Sequence, residues 1–320
     1  MSKPQDERRI YGLNACQSFF QRFPDRIIRA WLSEDAAKIH FGNLMKYLAK
    51  EKRAYHLADD RELEKVTQSE HHEGVCLLVQ DFPLFTIEAF VATLPPGKPV
   101  CLLALDGVSN PHNLGAIMRV AAHYGVSAIL TDQPQLLRSG AAMRTAEGGA
   151  THIKVVGADN MVKALQYLKK CRFSVLATSS HESASVYELP MPEKTVLILG
   201  EEQKGVSGKL LQIADRRIAV SGTGWVESLN VSVATGILLS EFWRQHRVLQ
   251  PAQATTAADS KPPSAPKSGA RPRPAGGARS GPRGGAGKSG STRRPTGTGR
   301  SGAAGKSAGK GPRPSSPRKG

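Results

Sequence analysis

Three loops of the sequence carry polar side chains of the kinds that bind ligands. The first loop, residues 106–115 (DGVSNPHNLG), contains Asn113, and Arg119 follows about one and a half helical turns later. The second loop, residues 199–205 (LGEEQKG), places carboxylates and two glycines after an apolar strand, and the third, residues 220–230 (VSGTGWVESLN), leads into a helix. Ligands of parallel α/β sheets bind at the carboxyl ends of the strands, so we expect the three loops to form one mouth.

Each of these polar residues also has a purely structural interpretation. Asn113 can cap the helix that follows it, and Arg119 can form an ion pair on the helix surface. Ser228 and Asn230 precede a run of apolar residues at helical spacing, where short polar side chains cap helices. Taken one at a time, the residues therefore do not distinguish a ligand site from helix capping.

The last apolar run, within residues 227–243, predicts a C-terminal helix. Val233, Ile237 and Leu238 share one face with Ala234, and this face should be buried. Gly236 in mid-helix costs about 1 kcal/mol relative to alanine. We therefore expect a neighbouring element to pack closely against Gly236.

Common catalytic and metal-binding signatures do not fit the chain. In the third loop Glu227 stands where GxGxxG requires its last glycine, and neither a Walker P-loop nor a GxSxG elbow is present. The four cysteines are widely separated, and His71 and His72 have no ligand partner at zinc spacing. The simplest interpretation of the two histidines is a turn into the strand at Gly74, so we predict no metal site.

The surrounding elements alternate between strands and helices, which predicts an α/β protein with a mostly parallel sheet. The predicted organisation has four parts: a small α/β unit over residues 1–82, a linker over 83–98, a larger α/β domain over 99–250 and a tail over 251–320. Predicted helices of the small unit span residues 13–20, 35–48 and 61–66, and its predicted strands span 26–31, 54–57 and 74–79. In the larger domain, predicted strands span residues 100–105, 127–130, 153–156, 173–178, 195–199 and 217–220.

The tail differs from the rest in composition and charge. It has no aromatic residue and no aliphatic residue larger than alanine, which predicts disorder. Its 15 Lys/Arg and single Asp259 carry +14 of the total charge of +17, so residues 1–250 carry only +3. No amphipathic apolar face accompanies this charge, so we expect RNA rather than a membrane as the partner. The N-terminus lacks a signal-peptide apolar region and no run reaches 18 apolar residues, which predicts a cytoplasmic protein.

The three loops together resemble a known family. The sequences NPHNLGAIMR, LILGEEQKGVS and ESLNVSVATGILLSEF are similar, in order and spacing, to the three motifs of the SpoU (TrmH) branch of SPOUT RNA methyltransferases. The sequences RIYGLNAC and HHEGVCLLV resemble the start and end of that family's L30e-like substrate-binding domain. The resemblance covers about residues 8–247 and leaves out the tail.

The resemblance implies an S-adenosylmethionine-dependent ribose 2′-O-methyltransferase acting on tRNA or rRNA, a homodimer, and a deep C-terminal trefoil knot. The implied catalytic residues are Asn113, Arg119, Glu202, Ser228 and Asn230. Cofactor contacts are implied mainly for backbone groups around Thr178, Gly200, Val220 and Leu229. The family makes Arg119 a candidate base, but guanidinium groups stay protonated in proteins, so a phosphate clamp is an equal alternative.

Two motifs depart from the family pattern. Gln203 follows Glu202 where glycine is usual, and Ser221 replaces the usual proline ahead of a loop that holds the bulky Trp225. The alternative function is an RNA-binding protein on the same fold that does not transfer methyl groups. The complete set of implied catalytic residues favours the enzyme.

Overall fold

The computed structural model describes residues 7–82, 84–179 and 183–246. The tail over residues 251–320, with its predicted disorder and RNA binding, lies outside the described residues. The described part of the chain contains two α/β domains, a front domain and a larger second domain, that pack into one unit.

The front domain is a mixed four-stranded sheet with helices on both faces. Its strands are β1 (Glu7–Tyr11), β2 (Ile27–Leu32), β3 (Ala54–Leu57) and β4 (Val75–Gln80), in the order β1-β4-β2-β3. Its helices are α1 (Leu13–Arg22), α2 (Glu34–Ile39), α3 (Gly42–Lys50) and α4 (Asp60–Thr67). The Ser33 side chain caps α2 by accepting from the Ala36 N–H, and Asp59 caps α4 by accepting from the Glu62 N–H. These capping residues therefore start α2 and α4 where the apolar periodicity predicts helices.

The single helix predicted over residues 35–48 is wrong, because the chain forms α2 and α3 instead. Phe41, between the two helices, is buried in the front-domain core, and its N–H donates to the carbonyl of Ala36. Burial of this ring turns the chain between two otherwise helical stretches. Gly42 follows Phe41 at the start of α3 and is a local signal for a break, but the apolar spacing on either side continues and favoured one long helix.

The segment predicted as a linker, residues 83–98, packs against the second domain. It contains α5 (Ile87–Val91), which Thr86 caps, and the Phe90 side chain of α5 is fully buried. The Gly157 N–H donates to the Phe85 carbonyl at 3.2 Å, so the segment also bonds to an edge of the second sheet. The domain boundaries themselves stay a prediction.

The second domain has a seven-stranded sheet, with every neighbouring pair parallel, among the described residues. Its strands are β5 (Val100–Asp106), β6 (Ala128–Thr131), β7 (Lys154–Gly157), β8 (Ser174–Thr178), β9 (Ala184–Ser185), β10 (Lys194–Gly200) and β11 (Arg216–Ala219), in the order β7-β6-β5-β10-β8-β11-β9. Its helices are α6 (Pro111–His123), α7 (Pro134–Leu137), α8 (Gly140–Thr145), α9 (Met161–Lys170), α10 (Gly208–Ile213) and α11 (Val231–His246). The predicted parallel α/β architecture is confirmed, whereas α5, α7 and the two-residue β9 were not predicted.

Helices cover both faces of this sheet. Alternate residues of the central strands point to opposite faces, as in Leu103 and Leu197 on one face and Leu102 and Val196 on the other. The first face packs against α6 and α11, and the second packs against α5, α9 and α10. This arrangement explains why the central strands are almost continuously apolar.

The buried face of α11 differs from the prediction. Leu238 is buried as expected, but Val233 is 51% exposed and Ile237 is only partly buried. The buried residues of the helix are Val231, Thr235, Leu238, Leu239, Glu241 and Phe242. Within the chain α11 packs on one side only, so apolar residues on its other side stay at the surface. None of the helices described here is both long and apolar enough to cross a membrane.

Candidate active site

The carboxyl ends of four adjacent strands define the site. Thr178 is the last residue of β8, Gly200 is the last of β10, and Val220 directly follows β11. Gly200 is in register with Asp106 at the end of neighbouring β5. Three of the four residues predicted to contact the cofactor therefore lie along one edge of the sheet. Leu229, the fourth, is 43% exposed in the loop that precedes α11.

Gly200 permits a sharp turn at this edge. A Cβ atom at this position would overlap the carbonyl carbon of Gly205 and the nitrogen of Val206. The Gly205 N–H donates to the Glu201 carbonyl at 2.8 Å, and Gly205 has a positive φ of 67°. Backbone groups are thus brought together at the strand end without an intervening side chain, as the predicted backbone recognition of a cofactor requires.

Three of the predicted catalytic side chains form one hydrogen-bonded cluster. Asn113 Nδ2 donates to Glu202 Oε1 at 2.7 Å, and Asn230 Nδ2 donates to the same oxygen at 2.8 Å. Asn230 Nδ2 also lies 3.0 Å from Asn113 Oδ1, to which it donates. Asn113 is buried, whereas Glu202 and Asn230 are exposed. The three loops therefore meet, and we call these residues the Asn–Glu–Asn cluster.

Asn113 is not the cap of its helix. Asn110 caps α6, its Oδ1 accepting from the N–H groups of His112 at 2.9 Å and Asn113 at 3.4 Å. Pro111 then occupies the first helical position, where the absent N–H costs nothing. The cap therefore lies three residues earlier than expected, and the Asn113 carboxamide is available to Glu202.

Asn230, in contrast, combines capping with the cluster. Its Oδ1 accepts from the Ser232 N–H at 2.9 Å and from the Ser232 hydroxyl at 2.6 Å, at the start of α11. Its Nδ2 serves the cluster at the same time. Asn230 can cap the helix and join the cluster at once because the amide has separate donor and acceptor atoms; its catalytic role stays a prediction.

Arg119 and Ser228 do not join the cluster. Arg119 lies six positions after Asn113 on α6. At about 3.6 residues per turn, the two side chains point about 120° apart around the helix axis. Arg119 is exposed and lines a groove between α6 and α11. Ser228 is exposed and has no hydrogen-bond partner in the described part of the chain. The structure therefore places Arg119 beside this groove and outside the Asn–Glu–Asn cluster of its own chain.

Two supporting residues were not predicted. Asp106 Oδ2 accepts from the Ser207 N–H at 2.7 Å, which ties the loop after β10 to the end of β5. Asn110 was assigned only to a turn, although an Asn-Pro pair at the end of a strand is also a helix-start signal. Glu201, the additional carboxylate, lies 3.3 Å from Lys204 within its own turn and outside the Asn–Glu–Asn cluster.

The cysteines and histidines have structural surroundings. Cys76 and Cys101 are buried in the core, and burial raises the pKa of Cys76 to about 12 and raises the pKa of Cys101. His72 is buried, and its Nδ1 accepts from the Gly74 N–H at 3.1 Å, which confirms the predicted turn into β4.

Comparisons with known proteins agree with this fold. Residues 101–240 match the SpoU rRNA Methylase family, and residues 9–84 match the RNA 2′-O ribose methyltransferase substrate binding family. The chain is 41% identical to the uncharacterized tRNA/rRNA methyltransferase YfiF of Escherichia coli O157:H7, over 76% of this chain and 69% of that protein. It is 31% identical to the 23S rRNA (guanosine-2′-O-)-methyltransferase RlmB of Pseudomonas aeruginosa, over 76% of this chain and 98% of that protein.

Solved structures share the fold. The crystal structure of an RNA 2′-O ribose methyltransferase superposes with a TM-score of 0.64 at 24% identity, over 77% of this chain and 90% of that chain. The AdoMet-bound rRNA methyltransferase from Sinorhizobium meliloti superposes with a TM-score of 0.62 at 21% identity, over 76% and 88%. The fold is therefore that of the SPOUT class of RNA methyltransferases. Within that class, the chain belongs to the SpoU family of RNA 2′-O-ribose methyltransferases, whose methyl donor is S-adenosylmethionine.

Proposed function

We propose that the chain methylates a ribose 2′-hydroxyl of ribosomal RNA, with the Asn–Glu–Asn cluster as its catalytic centre. The cluster carries the proposal, because it gathers all three sequence motifs at the strand ends where a parallel α/β domain binds ligands. Support for rRNA over tRNA comes from the relative RlmB, whose name specifies 23S rRNA. The match with this chain covers 98% of the RlmB sequence. The trefoil knot and a cytoplasmic location stay predictions.

The cofactor fits the turn at Gly200. S-adenosylmethionine, when bound, supplies a methyl group activated by its sulfonium charge. Backbone groups at Gly200 and Val220, with Thr178 and Leu229 beside them, are the proposed contacts. The Thr178 hydroxyl donates to the Ile198 carbonyl at 3.0 Å, so Thr178 fixes the spacing of β8 and β10 at this edge and offers mainly its backbone.

The Asn–Glu–Asn cluster suits the orientation of a hydroxyl group. Both asparagines donate to Glu202 Oε1, and in the described residues Oε2 has no protein partner. We propose that Glu202 Oε2 accepts a hydrogen bond from the ribose 2′-hydroxyl. This hydrogen bond aligns the hydroxyl oxygen for methyl transfer. Ser228, exposed in the preceding loop, is proposed to contact the substrate rather than to hold the cluster.

Arg119 is proposed to bind an RNA phosphate. It stands exposed on α6, and no acidic partner for it exists in the described part of the chain. A guanidinium with free donors binds phosphate in a bidentate fashion and does not serve readily as a base. Because Arg119 does not reach the cluster of its own chain, we place its phosphate at the junction of two subunits.

The groove beside Arg119 supports a homodimer. It has a volume of about 650 Å³ and is lined by residues of α6 and α11 together with Tyr187. Val233 is 51% exposed and Tyr187 is 53% exposed at its surface. A Cβ atom on Gly236 would meet only Val120 Cγ1, at 3.7 Å. The close neighbour expected at Gly236 is therefore absent from the described chain, and we propose that a second copy supplies it through a two-fold interface.

The catalytic proposal is tested on rRNA and tRNA from cells that lack the protein. Purified protein with labelled S-adenosylmethionine should transfer methyl groups to rRNA, and Asn230→Ser should lower kcat about 10²-fold. Serine keeps the helix cap but lacks the amide donor, so cofactor affinity, measured by calorimetric titration, should hold. Asn160→Ala removes the equivalent cap of α9 and is the matched control.

Other outcomes separate the alternatives. Transfer to tRNA alone contradicts the rRNA assignment. RNA binding without detectable cofactor binding at millimolar concentration favours the RNA-binding protein without methyl transfer. An unchanged kcat in Asn230→Ser removes the cluster from catalysis.

The dimer is tested by sedimentation over a range of protein concentrations. Val233→Lys places a charge in the groove and should convert the dimer to monomer without loss of folding. Ile39→Lys, on an exposed residue of the front domain, is the control. A monomer at all concentrations, or a dimer that survives Val233→Lys, contradicts the proposed interface.

A further inference from the structure

One stretch of the methyltransferase domain lies between the front domain and the catalytic helix. We call residues 138–152 the bridging segment; it comprises Arg138, helix α8 and a 3-10 helix, Gly149–His152. One side of the segment contacts β1 and α1 of the front domain, and the other side contacts α6. The RNA-binding domain and the helix that carries Asn113 and Arg119 are therefore joined through a single packed layer.

On the front-domain side, the segment enters the core of its neighbour. Met143 of α8 is buried among the core residues of the front domain. A Cβ atom on Gly140 would overlap the ring of Tyr11, so glycine allows α8 to lie directly on that ring. The Ser18 hydroxyl of α1 lies 2.7 Å from the Thr151 hydroxyl and donates to the Gly148 carbonyl at 3.1 Å. The contact between the bridging segment and the front domain is therefore packed as closely as the interior of a single domain.

Charged groups at the same contact fix its orientation. Asp81, at the end of the front domain, accepts from Arg138 of the bridging segment at 2.9 Å and lies 3.2 Å from Arg8 of β1. All three side chains are at most 16% exposed. A small displacement between the domains would leave a largely desolvated charge without its partner, and such charges are costly. The Arg138–Asp81 pair, which spans the two domains, therefore favours one relative position of them, and Arg8 holds Asp81 in place within the front domain.

On the catalytic side, the segment touches the backbone of α6. A Cβ atom on Gly115, two residues beyond Asn113, would lie 2.7 Å from the Ala142 carbonyl oxygen of α8. A Cβ atom on Gly149 would lie 3.0 Å from the Cα atom of Arg119. Backbone contacts without intervening side chains cannot adjust by rotamer changes, so a shift of the segment shifts α6.

We propose that the bridging segment holds the front domain at a fixed distance and orientation from α6, and that Arg138 and Met143 are positioning residues that select the ribose presented for methylation. The inference rests on the proposed function of the chain. The front domain binds RNA at one point and the Asn–Glu–Asn cluster reacts at another, so a rigid spacing between them specifies one nucleotide. Reacting atoms misplaced by about 1 Å can lose on the order of 10²-fold in rate, so even slight undocking matters.

The test combines a loosened and a locked protein. Arg138→Gln with Met143→Ala loosens the contact but leaves Asp81 paired with Arg8. Ser18→Cys with Thr151→Cys locks it, because the two hydroxyl oxygens are already 2.7 Å apart and an oxidised pair can form a disulfide. Glu34→Gln, which removes an exposed ion pair with Lys38 of the front domain, is the control.

Methylated positions are mapped in rRNA by mass spectrometry of nuclease fragments. The loosened protein should lose at least ten-fold in kcat/KM at the native position and methylate neighbouring riboses, with cofactor affinity unchanged. Oxidation of the Ser18→Cys/Thr151→Cys pair in the loosened background should restore the native position, and reduction should abolish the rescue. The Glu34→Gln control should behave like the native protein.

Three results would overturn the inference. The first is native positional selectivity in the loosened protein. The second is loss of methylation when the disulfide locks the otherwise native sequence, because this would mean that the domains must move. The third is equal rates of disulfide formation in the native and loosened backgrounds without RNA, which tests the docking even if no methyl transfer is found. Absence of methyl transfer by the native chain, in contrast, contradicts the proposed function.

Discussion

Helix α6 has two sides that differ in how completely the chain packs against them. On the side of α8, which we call the closed side, Gly115 and Gly149 bring backbones into direct contact. On the side of α11, the open side, Gly236 meets only Val120 Cγ1 at 3.7 Å, and a groove remains. Glycine thus permits close packing within the chain on the closed side. By our proposal, it permits close packing against a second copy on the open side.

Charged groups follow the same contrast. On the closed side Asp81 lies between two arginines, and all three side chains are largely buried. On the open side the buried Glu241 pairs with Arg244, whose side chain is 67% exposed. A pair with one partner in water restricts geometry less than a pair in which both partners are buried. The closed side therefore holds the domains in place, and the open side can accept a partner.

The largest expected effect is on the closed side. Gly115→Val should destabilise the fold by about 3 kcal/mol or more, because the added atoms overlap α8 backbone and Thr145. Urea unfolding followed by circular dichroism measures this change. Gly208→Ala, at a glycine with open space around it, is the control and should be nearly neutral. A loss below about 0.5 kcal/mol in Gly115→Val would show that the closed side is not tightly packed.

The next effect concerns Met143, the anchor in the front-domain core. Met143→Ala should cost about 2–4 kcal/mol through lost burial and the cavity that remains. It should also separate the unfolding of the two domains into two calorimetric transitions. Met161→Ala, at a partly buried position of α9 away from the front domain, should keep a single transition. A single transition in both variants would contradict the role of Met143 as an interdomain anchor.

A smaller effect of opposite sign is expected on the open side. Gly236→Ala should stabilise the monomer by about 0.5–1 kcal/mol, since alanine is the better helix former and the site has room for a methyl group. The same methyl group should weaken the proposed dimer, which sedimentation measures. If Gly236→Ala instead destabilises the monomer in dilute solution, the open side is packed within the chain after all.

The smallest effect concerns pH on the open side. Hydrogen bonding from Arg244 lowers the pKa of Glu241 below its ordinary value. A lowered folded-state pKa contributes stability above the unfolded value of about 4.3, which is lost as the pH falls through the folded pKa. Glu241→Gln should therefore cost less than about 1 kcal/mol at pH 7, because Arg244 is exposed to solvent. Thermal unfolding of both proteins should converge at low pH, and a constant difference would exclude the ion pair as its source.

Much of the fold followed from local pattern, and the errors have specific causes. The central strands and α1 lie within one or two residues of their predicted bounds, because continuous apolar runs and helical spacing are strong signals. The break at Phe41 was missed because the apolar spacing continues on both sides of it, although Gly42 marks the start of the second helix. Val233 was assigned to the buried face because apolar spacing does not reveal which apolar face the chain itself covers.

The sequence by itself determined the α/β class and the order of the three motifs, and its resemblance to a family implied that Asn113, Glu202 and Asn230 share one site. Strand and helix periodicity are local, and parallel strands bring their carboxyl ends to a common edge, so these conclusions need no coordinates. Only the tertiary structure decided that Asn110 caps α6, that Arg119 faces a groove, and that the bridging segment lies between two domains. Those features depend on helix rotation and on contacts between residues distant in sequence, which no local pattern encodes.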